Sequence, residues 1–232
     1  QAGFEIFIRS ASHHYIQILK NTQWGIFVCR FPDACCRDLL AGFEYQSGFE
    51  ETKCEFTKAW LPSARAFVLG GPGAGKGTMC ELAETQLGWT HLSTGDLLRA
   101  EREAGGPTAR VIEEYMTSGR LVPNEITVTL LKKAMETVTR TTGKRNFLLD
   151  GFPRSLDNLE AWYEIFGRDT ALPKMLYFEC PYEVLAARIL GRAKFSGRSD
   201  DNIESIKLRF DTFKAETLPI VQLFESKTGA SK

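Results

Sequence analysis

One junction constrains the fold of this chain more than any other. Residues 64–70, ARAFVLG, run directly into GGPGAGKGT at 70–78. A short apolar run that stops at glycine suits a buried strand. Downstream, Met79, Leu82, Ala83 and Leu87 recur at helical spacing. Strand, glycine-rich loop and helix form the context in which G-x-x-x-x-G-K-[ST] cradles phosphate. Gly70, Gly75 and Lys76 hold the fixed positions, but Gly77 stands where the hydroxyl is expected and Thr78 follows one residue late. The candidate cradle is Gly71, Pro72, Gly73, Ala74, Gly75, Lys76, Gly77 and Thr78. Its glycines let backbone N–H groups close around an anion without Cβ clashes. The helix N-terminus adds partial positive charge. Lys76 is placed to reach the β- and γ-phosphates of a nucleotide.

From residue 64 onward, strand and helix patterns alternate. THLS (90–93), NFLLD (146–150) and KMLYFEC (174–180) read as strands. Val111, Ile112, Tyr115 and Met116 mark one helix; Ile126, Leu130, Leu131, Ala134 and Val138 mark another. Ser155 opens a helix that carries Leu159, Trp162 and Phe166, and Val184, Leu185 and Ile189 mark the next. A last helix from about Asn202 carries Ile206, Phe210 and Phe213, and Pro219 is expected to kink it. This alternation predicts an α/β fold, a three-layer sandwich with a parallel sheet covered on both faces. Ligands then gather at the carboxyl ends of the strands.

Composition narrows the class. Lys plus Arg and Asp plus Glu are both 29, so no global charge points to nucleic acid or a membrane surface. No apolar run is long enough to span a bilayer. Cys29, Cys35, Cys36, Cys54, Cys80 and Cys180 form no C-x-x-C pair and read as reduced thiols of a cytosolic protein. Residues 1–63 differ from the rest. FEIFI, YIQIL and GIFVCRF are β-prone, and no chemical motif accompanies them. His13 and His14 are adjacent, so on a strand they would face opposite sides. Leu61-Pro62-Ser63 is a plausible boundary between this extension, readable as a small β-rich module, and a domain over 64–232.

Four stretches line up in order: GGPGAGKGT, STGDLLR (93–99), DGFPR (150–154) and GRSDDN (197–202). With them residues 64 to about 229 resemble the nucleoside monophosphate kinases, the adenylate and UMP/CMP kinase family, whose phosphate loop ends GKGT. LVPNEIT (121–127) and the Asn158 of GFPRSLDN are similar to the UMP/CMP branch, whereas Thr94 is more typical of the adenylate kinases. Asn158 also stands where a capping-box partner of Ser155 would stand. An amide that both donates and accepts can pair with a pyrimidine edge. The resemblance implies ATP as donor, UMP or CMP as acceptor and Mg2+ as cofactor. It also implies an acceptor-binding region at about 93–122 and a short lid at about 191–201.

The same resemblance distributes the side chains. Lys76, Arg154, Arg192, Arg198 and Arg209 are the expected catalytic cations. Arg188 and Arg192 join the loop on the ATP side, with Arg188 stacking on adenine. Thr94, Arg99, Arg120, Leu121, Val122, Gly151, Phe152, Arg154, Asn158, Arg198 and Arg209 are expected around the acceptor. Asp150 is expected to orient Mg2+ through water, and Asp200 and Asp201 to order the lid or orient an arginine. A phosphate monoester is already anionic near neutral pH, so the task is alignment and charge stabilisation, which guanidinium groups serve bidentately. The family's last strand and helix have no counterpart after KTGASK, which predicts an exposed edge at 174–180 unless another segment covers it. An adenylate kinase using AMP, or a nucleotide-binding module without turnover, are the alternatives. The expected setting is a cytoplasmic or nuclear monomer acting on small molecules.

Overall fold

The computed structural model describes residues 4–9, 15–20, 26–30, 65–167, 174–196 and 203–228. The expectations for Arg198, for Asp200, Asp201 and the rest of the lid beyond 196, and for His13, His14, Cys35, Cys36 and Cys54 lie outside the described residues.

Seven strands form one sheet: β1 (Phe4–Arg9), β2 (Tyr15–Lys20), β3 (Ile26–Arg30), β4 (Arg65–Gly70), β5 (Thr90–Ser93), β6 (Phe147–Asp150) and β7 (Lys174–Glu179). Their order across the sheet is β1-β2-β3-β7-β4-β6-β5. β4 lies between β6 and β7 and is parallel to both, and β5 is parallel to β6. β3 runs parallel to β7, and β2 and β1 follow it antiparallel. The helices are α1 (Lys76–Leu87), α2 (Thr94–Glu103), α3 (Ala109–Thr117), α4 (Asn124–Thr142), α5 (Leu156–Phe166), α6 (Tyr182–Ser196), α7 (Ile203–Thr212) and α8 (Leu218–Thr228).

Period-two alternation in β4 divides the core. Phe67 and Leu69 point to one face, Ala66 and Val68 to the other, and all four are buried. The first face is covered by Val128, Leu131 and Met135 of α4, Leu159 and Trp162 of α5, and Ile220, Val221 and Phe224 of α8. The second is covered by Cys80 of α1, Leu185 and Ile189 of α6, and Ile206 and Phe210 of α7. These are the three layers expected from alternating strands and helices. A separate small core of Leu98, Ile112 and Val122 joins α2 and α3 to the segment before α4.

Two local features depart from the periodicity. α2 carries too few apolar positions to announce itself, but Ser93 caps it by accepting from the Asp96 N–H at 3.2 Å. The irregularity expected at Pro219 falls just upstream, as a π-helical turn over Phe213–Thr217. Proline offers no N–H to residue 215 and its ring displaces that carbonyl, so the preceding turn widens.

Candidate active site

Register brings the carboxyl ends of three strands together. Val68 lies opposite Asp150, and Ser93 lies opposite Asp150 on the other side. The phosphate loop leaves β4 here, DGFPR leaves β6, and α2 leaves β5. The loop is closely built: Gly73 has φ +82°, and a Cβ there would lie 2.7 Å from the Leu185 carbonyl oxygen. Only glycine satisfies both conditions. Lys76 folds over the loop and donates to the carbonyls of Gly70 at 2.9 Å and Gly71 at 3.0 Å. Burial pulls its pKa down to about 8; Asp150 opposes that shift, and Arg154 and Arg209 add to it. Thr78 is exposed at the mouth of the loop. Arg188 of α6 donates to the Gly73 carbonyl at 3.4 Å, which sets it against the loop, and Arg192 follows one turn later.

An open cleft adjoins the loop. Lys76, Thr94, Arg99, Arg120, Leu121, Val122, Gly151, Arg154, Asn158 and Arg209 all line it. Arg154 is held from several sides: Nε donates to Gly151 O at 2.7 Å, Nη2 reaches Thr94 Oγ1 at 3.5 Å, and its carbonyl accepts from Thr217 Oγ1 at 2.8 Å. Arg99 pairs with Asp96 one turn back on α2. Arg120 stacks on Tyr115 with its guanidinium carbon 4.4 Å from the ring centre, and it pairs with Glu114 at 2.8 Å. Phe152 is fully buried in the core beneath the cleft rather than on its wall. Arg188 and Arg192 do not line this cleft, and so the geometry separates these two α6 arginines from the cleft-side cations.

Asn158 is 3% exposed, so the amide is a buried polar group that needs partners. Its backbone N–H donates to the capping Ser155 Oγ at 3.1 Å. Its Oδ1 accepts from the Arg154 N–H at 3.0 Å, and its Nδ2 donates to Asn124 Oδ1. Thr94, at the start of α2, donates to the carbonyls of Asp150 at 2.9 Å and Gly151 at 3.0 Å. It therefore ties the β5 and β6 ends together.

Asp150 closes β6 beneath the loop. A Cβ at Gly77 would lie 3.8 Å from Asp150 Oδ2. His91 Nε2 is 3.2 Å from the same oxygen. Burial pulls the His91 imidazole down, but the Asp150 hydrogen bond and charge, with Glu84 and Glu81, outweigh it and raise it overall. Burial pushes the Cys80 thiol well above the ordinary range, and Asp150 pushes the same way. That thiol is inert as a nucleophile. The donor atoms of Cys80, His91 and Asp150 lie within 4.8 Å of one another. A hard divalent cation prefers carboxylate and water to sulfur and imidazole, which leaves Asp150 as the residue that suits Mg2+.

Several cleft residues were not expected at the site from the sequence. Leu98, Met116, Thr127, Thr212, Phe213 and Thr217 line the cleft, and Asn124 touches Asn158 from behind it. Thr212 precedes the π-helical turn and Thr217 ends it, and Thr212 Oγ1 donates to Gly119 O at 3.0 Å. Only the π-turn geometry groups them; along the chain they are ordinary helix threonines.

A family model described as adenylate kinase matches residues 68–229. The chain belongs to the adenylate kinase family. It is 49% identical over 168 residues to the UMP-CMP kinase of Xenopus tropicalis, covering 72% of this chain and 85% of that protein. It is 48% identical over 161 residues to the UMP-CMP kinase of Gallus gallus, covering 68% and 82%. It is 48% identical over 164 residues to the uridylate kinase of Saccharomyces cerevisiae, covering 70% and 78%. The matched span contains the loop, the cleft and Asn158. Among the described residues, no helix is long and apolar enough to cross a membrane.

Proposed function

We propose that this chain transfers the γ-phosphoryl group of ATP to UMP or CMP, giving ADP and UDP or CDP. The observation that carries this reading is a single cleft in which Lys76, Arg99, Arg154 and Arg209 converge while the amide of Asn158 forms part of the wall. The cations suit two polyanions that must be brought into line, and the amide suits a base. An oxygen of the acceptor monophosphate attacks the γ-phosphorus, and the bond to the β–γ bridging oxygen of ATP breaks. The electron pair leaves with ADP. Arg99 and Arg154 hold the acceptor phosphate, and Lys76 and Arg209 stabilise charge on the transferring group. Arg188 and Arg192 serve the donor from the loop side, and Arg198 is assigned, with Arg209, to the transferred group and the acceptor.

Asp150 and Thr78 would hold Mg2+ through its water shell, and the ion would neutralise charge between the β- and γ-phosphates. Thr94 does not argue for adenine. Its hydroxyl is occupied by the Asp150 and Gly151 carbonyls, a backbone role independent of the base. The reading also takes the protein to be a cytoplasmic monomer. A coupled assay of ADP release with CMP, UMP and AMP at equal low concentrations tests it. CMP or UMP should be turned over faster than AMP. Faster turnover of AMP would replace the pyrimidine assignment with an adenylate kinase.

A further inference from the structure

Beneath the phosphate loop, donors of three different kinds converge. Cys80 stands on α1, His91 on β5 and Asp150 at the end of β6. The sulfur, a ring nitrogen and a carboxylate oxygen lie within 4.8 Å of one another. Zn2+ takes sulfur at about 2.3 Å and nitrogen or oxygen at about 2.0–2.2 Å in a tetrahedron. Its nitrogen and oxygen ligands then lie about 3.3 Å apart, and its sulfur about 3.6 Å from each. The separation of 3.2 Å between His91 Nε2 and Asp150 Oδ2 already matches. Drawing the thiol in by about 1 Å completes three ligands and leaves the fourth position to water.

The chemistry of the set selects the ion. Mg2+ holds to oxygen and its own waters, so it engages Asp150 alone. Imidazole and thiolate suit Zn2+. Cys80 is in no disulfide, and burial keeps its thiol protonated in the free protein. A coordinated thiol gives that proton up to solvent outright. Thiolate and carboxylate together cancel the charge of the ion, which permits its burial. Glu84 and Glu81 add negative field at His91. The side chains of His91 and Asp150 are 12% and 11% exposed, which gives the ion a way in. Gly77 puts no side chain over Asp150 Oδ2, where a Cβ would lie 3.8 Å away.

We propose that Cys80, His91 and Asp150 form a binding site for Zn2+, and that an ion held there silences the enzyme by taking Asp150 away from Mg2+. The site stands on its geometry and donor set; the silencing rests on the reading of Asp150 as the magnesium carboxylate. The probe is Co2+, which takes tetrahedral zinc sites and reports thiolate bonding as near-ultraviolet absorption. The reduced, nucleotide-free full chain should gain that band with one ion per chain, and lose it to Zn2+ but not to Mg2+. Cys80→Ala should remove the band, which separates this site from the other thiols. His91→Gln should weaken Co2+ binding by about tenfold or more. Turnover of CMP and UMP is then followed at fixed MgATP, with free Zn2+ set by a metal buffer. Zn2+ should inhibit the unaltered chain, and Cys80→Ala, active without zinc, should need about tenfold more of it. A band that never forms, or that survives in Cys80→Ala, overturns the site. Should Cys80→Ala fail to fold, unchanged Co2+ affinity in His91→Gln overturns it instead. Zn2+ bound through Cys80 with turnover intact overturns the silencing and the reading of Asp150, and leaves the site standing.

Discussion

Lys76 donates to the carbonyls of its own loop at 2.9 and 3.0 Å, and its charge is poised close to neutrality by burial, with a pKa of about 8. Lys76→Met should cut kcat by about a hundredfold or more, because it removes charge aimed at the transferring group. Circular dichroism should show an unchanged fold, and near-normal turnover would exclude the role. The pH profile gives an independent check. As pH rises through about 8 the free enzyme loses this charge, so kcat/KM should fall on the basic side from there. Bound phosphates favour the ammonium, so the limb in kcat should lie at higher pH. Stability follows the opposite sign. The folded value lies below the ordinary 10.5, so between about 8 and 10.5 the unfolded chain binds more protons. This group therefore makes the fold more stable with rising pH across that window. At this scale the sequence was most legible where chemistry demands a residue type at a set spacing, as at Lys76, Arg154 and Asp150. Asn124 and Thr217 were not legible, because their roles depend on groups 34 and 63 residues away in the chain.

Between elements, the acceptor region meets the helix carrying Arg209 at Gly119. Its φ is +67°, and a Cβ would lie 2.9 Å from Leu208 Cβ on α7. Its carbonyl accepts from Thr212 Oγ1 at 3.0 Å. Gly119→Ala should lower stability by about 1–2 kcal/mol from backbone strain alone, read from urea unfolding. It should also raise the acceptor KM, because Gly119 and Arg120 line the cleft that α7 closes. A variant as stable as the parent would show that this contact yields freely. Strands and long helices could be read from the chain because burial imposes period two or 3.6 on their side chains. α2 could not, since its start depends on the Ser93 cap and its burial on the small core at Leu98. The π-turn was half legible. Pro219 announces a defect, but where the defect settles depends on Thr217, which is bonded to the Arg154 carbonyl.

Across the whole molecule the chemistry and the sheet edge are separable. Every residue assigned to the site lies beyond residue 64, and the described ones sit at the ends of β4 and β6, on α1, α2, α5, α6 and α7, or in the segment between α3 and α4. β7 contributes Met175 and Phe178 to the core, and it has β4 on one side and β3 on the other. Ile26 pairs with Met175 and Arg30 with Glu179, so residues from the β-prone extension occupy the side of β7 that would otherwise be an edge. The sequence indicated strands in residues 1–63, but parallel pairing between residues so far apart has no local signature. Removal of residues 1–63 would uncover a row of unpaired N–H and C=O groups along β7, a template for strand pairing between molecules. The chain trimmed to residues 64–232 is therefore expected to keep its order of preference among CMP, UMP and AMP. It should also melt at lower temperature and elute as larger species in size-exclusion chromatography. Trimmed protein that is monomeric and as stable as the full chain would show that β3 adds nothing to the sheet. A changed acceptor preference would show instead that the extension reaches the site.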